Sequence, residues 1–133
     1  MINHNNLAAS LASAIAYQHG GTLTLTGHPA VQKGYAVGTE GAELTVPAGP
    51  PTSSDVYVSP DLIKAWLRSY AEPAINRITA DNQHPHVGAW VNQGKVYLDV
   101  SVIVDDEAEA IRLGKLWGQK AIYNLAKGEE ITL

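Results

Sequence analysis

The sequence predicts an α+β fold: a mainly antiparallel or mixed sheet with two to three helices packed on it. Three observations carry this. Stretches with four-residue apolar spacing sit among stretches of two-residue alternation. The C-terminal half reads β-β-α-β-β. Hydrophobic residues make up 45% of 133 residues and charged ones 17%, the balance of a chain with a packed core rather than a disordered one. Residues 1–133 are read as one domain. The 47–55 loop is the one place where two subdomains could divide, although neither half alone looks large enough for a robust core.

The first helix is expected over residues 4–18, where Leu7, Leu11 and Ile15 recur at one-turn spacing beside Ala8, Ala12 and Ala16. Asn3, Asn5 and Asn6 offer N-caps, and Gly20 and Gly21 offer the stop. Thr22–Thr26 alternates Thr and Leu as a half-buried strand does. Gly34–Gly38 and Ala42–Val46 read as a hairpin around Thr39-Glu40-Gly41. Pro47–Asp55 is a loop, because its prolines cannot donate to a ladder, and Val56–Val58 is a short strand.

Ser59-Pro60-Asp61 announces the second helix: Ser can cap, Pro suits the first helical position, and Asp favours the positive end. Its apolar face carries Ile63, Trp66, Leu67 and Tyr70. Pro73 should kink or end it, with Ala74–Thr79 continuing beyond. His86–Val91 and Lys95–Val104 then form a hairpin. Asp106 and Glu109 make an Asp version of a capping box for a helix that runs to about Trp117 and stops at Gly118. Lys120–Leu125 and Glu130–Leu133 are two more strands around Lys127-Gly128. The strand Lys95–Val104, the helix and the strand Lys120–Leu125 suggest a right-handed parallel crossover. The core should include Leu98, Val100, Val102, Leu113, Trp117, Ile122, Trp66 and Leu67.

The register of the Val87–Val102 hairpin can be derived. Cross-strand partners share a face because side chains alternate. With a two-residue loop at Gln93-Gly94, Val91 faces Val96, Ala89 faces Leu98 and Val87 faces Val100, all apolar. A shift by one residue would pair apolar with polar residues throughout. Gly94 can supply the positive φ that such a loop needs. The other face then carries His86, Asp99 and Ser101, flanked by Trp90 and Tyr97, with Gly88 leaving a gap opposite Asp99. Aromatic walls around a few polar groups describe many ligand sites. A solvated sheet face explains the same residues more simply. His86, Trp90, Tyr97, Asp99 and Ser101 are the candidate ligand- or partner-binding residues, and no catalytic or metal-ligating residue is assigned.

Composition and motifs narrow the classes. The absence of cysteine removes disulfides, thiolate chemistry and Cys-type zinc sites, and fits a reducing compartment. Net charge is −4 and the nine Lys and Arg are scattered singly, without the basic stripe of a nucleic-acid binder. Met1–His19 lacks the basic start of a signal peptide, and no run reaches the roughly 18 apolar residues of a membrane span. No phosphate-binding glycine loop, H-E-x-x-H or EF-hand loop occurs, and no cofactor is expected. His84-Pro85-His86 could offer two imidazoles to a metal, but Pro85 distorts the pair and no third ligand is evident. His86, Asp99 and Ser101 could make a hydrolase triad, yet such a nucleophile belongs on a strained turn, not in mid-strand. Asp105, Asp106 and Glu109 are explained by helix capping, and Glu129 and Glu130 by protection of an edge strand. Gly114 and Gly118 suit close packing of their helix on the sheet.

The segments VGAWV, GKVYLDVSVIVDD, EAIRLG and GQKAIYNLAKGEEI, all between His86 and Leu133, resemble a recurring pattern in small uncharacterised accessory proteins of bacterial phages and prophages, especially actinobacterial ones. GYAVG and ELTVPA upstream fit more loosely. The resemblance implies a mobile-element setting and the cytosol of a host cell, and no chemistry. The expectation is therefore an accessory protein that binds a host protein or a small ligand, without nucleic acid or membrane as partner. A small enzyme using His86, Asp99 and Ser101 is one alternative. A structural, virion-associated protein that self-assembles through sheet edges as a homo-oligomer is the other.

Overall fold

A computed structural model describes residues 2–47 and 56–133. Its elements run α1 (His4–Gln18), β1 (Gly20–Leu23), β2 (Tyr35–Gly38), β3 (Leu44–Pro47), α2 (Pro60–Trp66), a π-helical turn (Leu67–Ala71), α3 (Glu72–Ala80), β4 (Pro85–Asn92), β5 (Lys95–Val104), α4 (Glu107–Leu116), β6 (Ala121–Asn124) and β7 (Glu129–Thr132). The strands form one seven-stranded antiparallel sheet in the order β1-β4-β5-β2-β6-β7, with β3 also paired to β5. The fold is α+β, and its C-terminal half is β-β-α-β-β. The loop expected over Pro47–Asp55 lies outside the described residues apart from Pro47, which closes β3 opposite Lys95.

The helix boundaries follow from capping. Asn3 accepts the Asn6 N–H at the start of α1, which covers residues 4–18 as expected. The stop is His19, in the left-handed region at φ 59, rather than a glycine. Gly20 and Gly21 already belong to β1, paired with Trp90 and Ala89, so this strand lies earlier than Thr22–Thr26. Ser59 caps α2 through the Asp61 N–H, with Pro60 in the first turn. Asp106 caps α4 through the Glu109 N–H at 2.9 Å. The reciprocal arm of the box is missing, because the Glu109 carboxylate bonds Arg112. Trp117 and Gly118, at φ 66, end α4.

Pro73 does not end the second helix. Proline cannot donate to the carbonyl one turn back and crowds it. The chain absorbs this just upstream with a wider turn, in which Glu72 N–H donates to Leu67 O. The helix then continues as α3.

The expected hairpin around Thr39-Glu40-Gly41 does not form. β2 and β3 run in the same direction, end to end along one edge of β5: Gly38 pairs with Ser101, and Leu44 with Leu98. Residues 39–43 bulge out opposite Asp99 and Val100 alone. β5 is ten residues long and has β4 on its other side. A local hairpin would have left this edge of β5 without backbone partners. β6 pairs with β2 rather than with β5. The β5–α4–β6 connection thus joins two strands of like direction with β2 between them. Val56–Val58 forms no strand with the other described residues, although Val58 is buried.

One apolar cluster joins Leu7, Leu11 and Ile15 of α1, Trp66 and Ile75 of the second helix, and Leu113 of α4 to Val37, Val87, Leu98, Val100 and Ile122 of the sheet. Each buried Leu, Ile or Val contributes roughly 1.5–3 kcal/mol. The Trp66 indole N–H is satisfied within this core, donating to the Ala42 carbonyl at 2.7 Å. Of the expected core residues, Trp117 is only partly buried, since it lies at the end of α4 where the helix leaves the sheet. Tyr70 is exposed: the wider turn rotates it off the apolar face. Among the described residues, no helix is long and apolar enough to cross a membrane.

Candidate functional site

The β4–β5 hairpin has the derived register. Asn92 pairs with Lys95, so the loop is Gln93-Gly94, and both residues have positive φ, 51° and 75°. This is the geometry whose twist matches that of the strands. Val87, Ala89, Val96, Leu98 and Val100 therefore point to the helices and are at most 4% exposed. The opposite face pairs His86 with Ser101, Gly88 with Asp99 and Trp90 with Tyr97. None of its side chains joins the apolar cluster beneath the helices.

The structure brings all five candidate residues onto this face. Trp90 and Tyr97 stack, with ring centroids 4.3 Å apart and planes 15° from parallel. Trp90 remains 43% exposed. Its β1 partner is Gly20, which has no side chain to cover it. Ser101 is buried and His86 half-buried. His86 Nδ1 lies 3.1 Å from the His84 carbonyl, so its ring turns back on its own strand. Burial holds its imidazole below the usual value, opposed by that bond and assisted by His84. No hydrogen bond among the described residues links His86 to Asp99 or Ser101. The three polar groups share a face without forming a proton relay. Nor do three His, Asp or Glu side chains converge among the described residues as a metal cage would require.

Asp99 is the distinctive group. A Cβ on Gly88 would lie 2.5 Å from its Oδ1, and a Cβ on Gly38 3.8 Å from its Oδ2. The carboxylate therefore lies between glycines of the two strands that flank β5; a side chain at Gly88 would collide with it, while one at Gly38 would only touch it. Gln119 Oε1 lies 3.0 Å from the same Gly38 position, while the Gln119 amide N–H points to the Trp117 carbonyl. Asp99 accepts no hydrogen bond from a described residue, and the charged neighbour that acts on it is the Glu43 carboxylate. Burial pushes its carboxyl up from 3.8 to about 6, and the Glu43 carboxylate adds to the shift.

Glu43, Gln119 and Gly38 were not among the sequence candidates. Glu43 acts on Asp99 because residues 39–43 bulge beside β5, and Gln119 comes to Gly38 because the α4–β6 connection passes β2. Neither placement has a local signal. Gly38 had one: a glycine in an alternating strand marks a close approach.

Comparison with family models, with curated proteins and with solved structures returned no match.

Proposed function

We propose that this chain is a small accessory protein of the phage or prophage type that acts by binding, and that the open sheet face around Asp99 is its binding surface. The carrying observation is the Asp99 carboxylate, held close to Gly88 with the Glu43 carboxylate acting on it and no hydrogen bond to it from a described residue. Such a group is complementary to a cation. The stacked ring pair beside it, with Trp90 uncovered, supplies a second attraction, since a guanidinium favours an indole face by about 0.5–2 kcal/mol. A planar cation that stacks on one group and bonds the other is the arginine side chain. The occupant is thus a host protein presenting an arginine. The resemblance of the 86–133 segments to phage accessory proteins supports the setting.

N-acetyl-L-arginine methylamide tests this: it has a guanidinium but neither a free ammonium nor a carboxylate. Added to the isotopically labelled protein, it should shift the amides of Gly88, Trp90, Tyr97 and Asp99. Asp99→Asn and Trp90→Ala should each weaken the response by about tenfold, the loss of one charged contact. Shifts elsewhere only, or equal binding by both variants, would overturn the reading.

A further inference from the structure

A cavity of about 340 Å³ opens between the bulge after β2 and the end of α3, lined by Thr39, Glu40, Arg77, Asp81 and Trp117 among others. Ligand pockets begin at about 300 Å³, so it suits a small molecule. Thr39 is 2% exposed, and its hydroxyl has no hydrogen-bond partner among the described residues. A buried hydroxyl left unpaired costs roughly 1–3 kcal/mol, so the bulge is held with an unmet polar group beside this cavity.

The charges here are arranged in an unusual way. Arg77 on α3 and Asp81 at its C-cap stand four residues apart, the spacing at which opposite charges commonly pair. No ion pair within 4 Å joins them, and Arg77 bonds instead to the backbone carbonyl of Glu40 at 3.2 Å. Most of the guanidinium donors are thus uncommitted among the described residues. Asp81 sits at the C-terminal end of α3, where the partial negative charge of the helix already favours a cation. Glu40 borders the same space and adds a second acidic residue to it. Positive and negative groups therefore line one cavity without neutralising each other. Trp117, partly buried, offers it an apolar wall.

We propose that this cavity binds a small zwitterion of amino-acid type, its carboxylate on Arg77, its ammonium between Glu40 and Asp81, and its remaining substituent against Trp117. The site is lined by other residues than the Asp99 face and does not depend on it.

The test is titration of the full labelled chain with each of the common L-amino acids, and separately with acetate and with methylammonium. At least one amino acid should give saturable shifts in the amides of Thr39, Glu40, Asp81 and Trp117, binding about tenfold or more tightly than either half alone. Arg77 is exposed, so Arg77→Ala should fold, with unchanged amides in β4 and β5, and should weaken the amino acid by about tenfold. Arg77→Lys should restore part of the loss, because it returns the charge without the bidentate geometry. Acetate binding as tightly as every amino acid, no shift at these amides, or an unaltered affinity in Arg77→Ala would each overturn the assignment.

Discussion

Trp90 and Tyr97 lie directly opposite each other on β4 and β5, their rings 4.3 Å apart and within 15° of parallel. That contact fixes the hairpin register on the open face, as the Val87–Val100 and Ala89–Leu98 pairs do on the buried one. Aromatic pairs of this kind contribute about 0.5–1.5 kcal/mol beyond the area they bury. A double-mutant cycle of Trp90→Ala and Tyr97→Ala, read by urea unfolding, should return a coupling energy in that range. Additive effects would show that the stack is not an interaction.

The raised Asp99 carboxyl has a signed consequence for stability. Its folded value of about 6 lies above the unfolded 3.8. Between the two the folded protein holds a proton that the unfolded chain has lost, so this residue's contribution is fully present below the unfolded value. It is lost as pH rises through the folded one. A shift of this size corresponds to roughly 2–3 kcal/mol before any allowance for the solvent that reaches a half-buried group. Asp99→Asn removes the titration. The unfolding free energy of the native protein minus that of the variant should therefore fall between about pH 4 and pH 8. A flat or rising difference would contradict the buried carboxyl.

Gly88 lies where a methyl group would meet Asp99 Oδ1 at 2.5 Å. Gly88→Ala should push the carboxylate toward solvent and return its titration toward the ordinary value, while the hairpin register persists. Carboxyl chemical shifts followed against pH would show the change, and cross-strand contacts between Trp90 and Tyr97 would report the register. An unchanged Asp99 titration would mean that the space opposite is not tight.

Trp66 is 1% exposed and donates to the Ala42 carbonyl. Trp66→Phe removes the donor and leaves the carbonyl buried without it. The expected loss is about 1–3 kcal/mol for that acceptor, plus a packing penalty, in chemical denaturation. A neutral substitution would show that the bond contributes nothing net.

The parts legible in the sequence were those governed by local period and capping. Apolar alternation in VGAWV and VYLDV admits one register, and Asn3, Ser59 and Asp106 mark helix starts chemically. What remained illegible depended on choices between distant partners. The GYAVG segment has the same pattern whether it turns back on ELTVP or lines up with it along β5. Only the length of β5 decides, by offering backbone groups that must be paired. The same non-local choice brings Glu43 and Gln119 toward Asp99 and sets Arg77 against the Glu40 carbonyl. Trp117 looked like core by its spacing from Leu113, but the end of α4 carries it to the rim.

The Asp99 side-chain carboxyl, followed by carbon-detected NMR against pH with and without N-acetyl-L-arginine methylamide, tests the binding face most directly. The protein alone should titrate at about 6, and saturating probe should lower that value, because a cation favours the ionised form. An ordinary carboxylate titration that the probe leaves unmoved would contradict both the buried charge and its proposed partner.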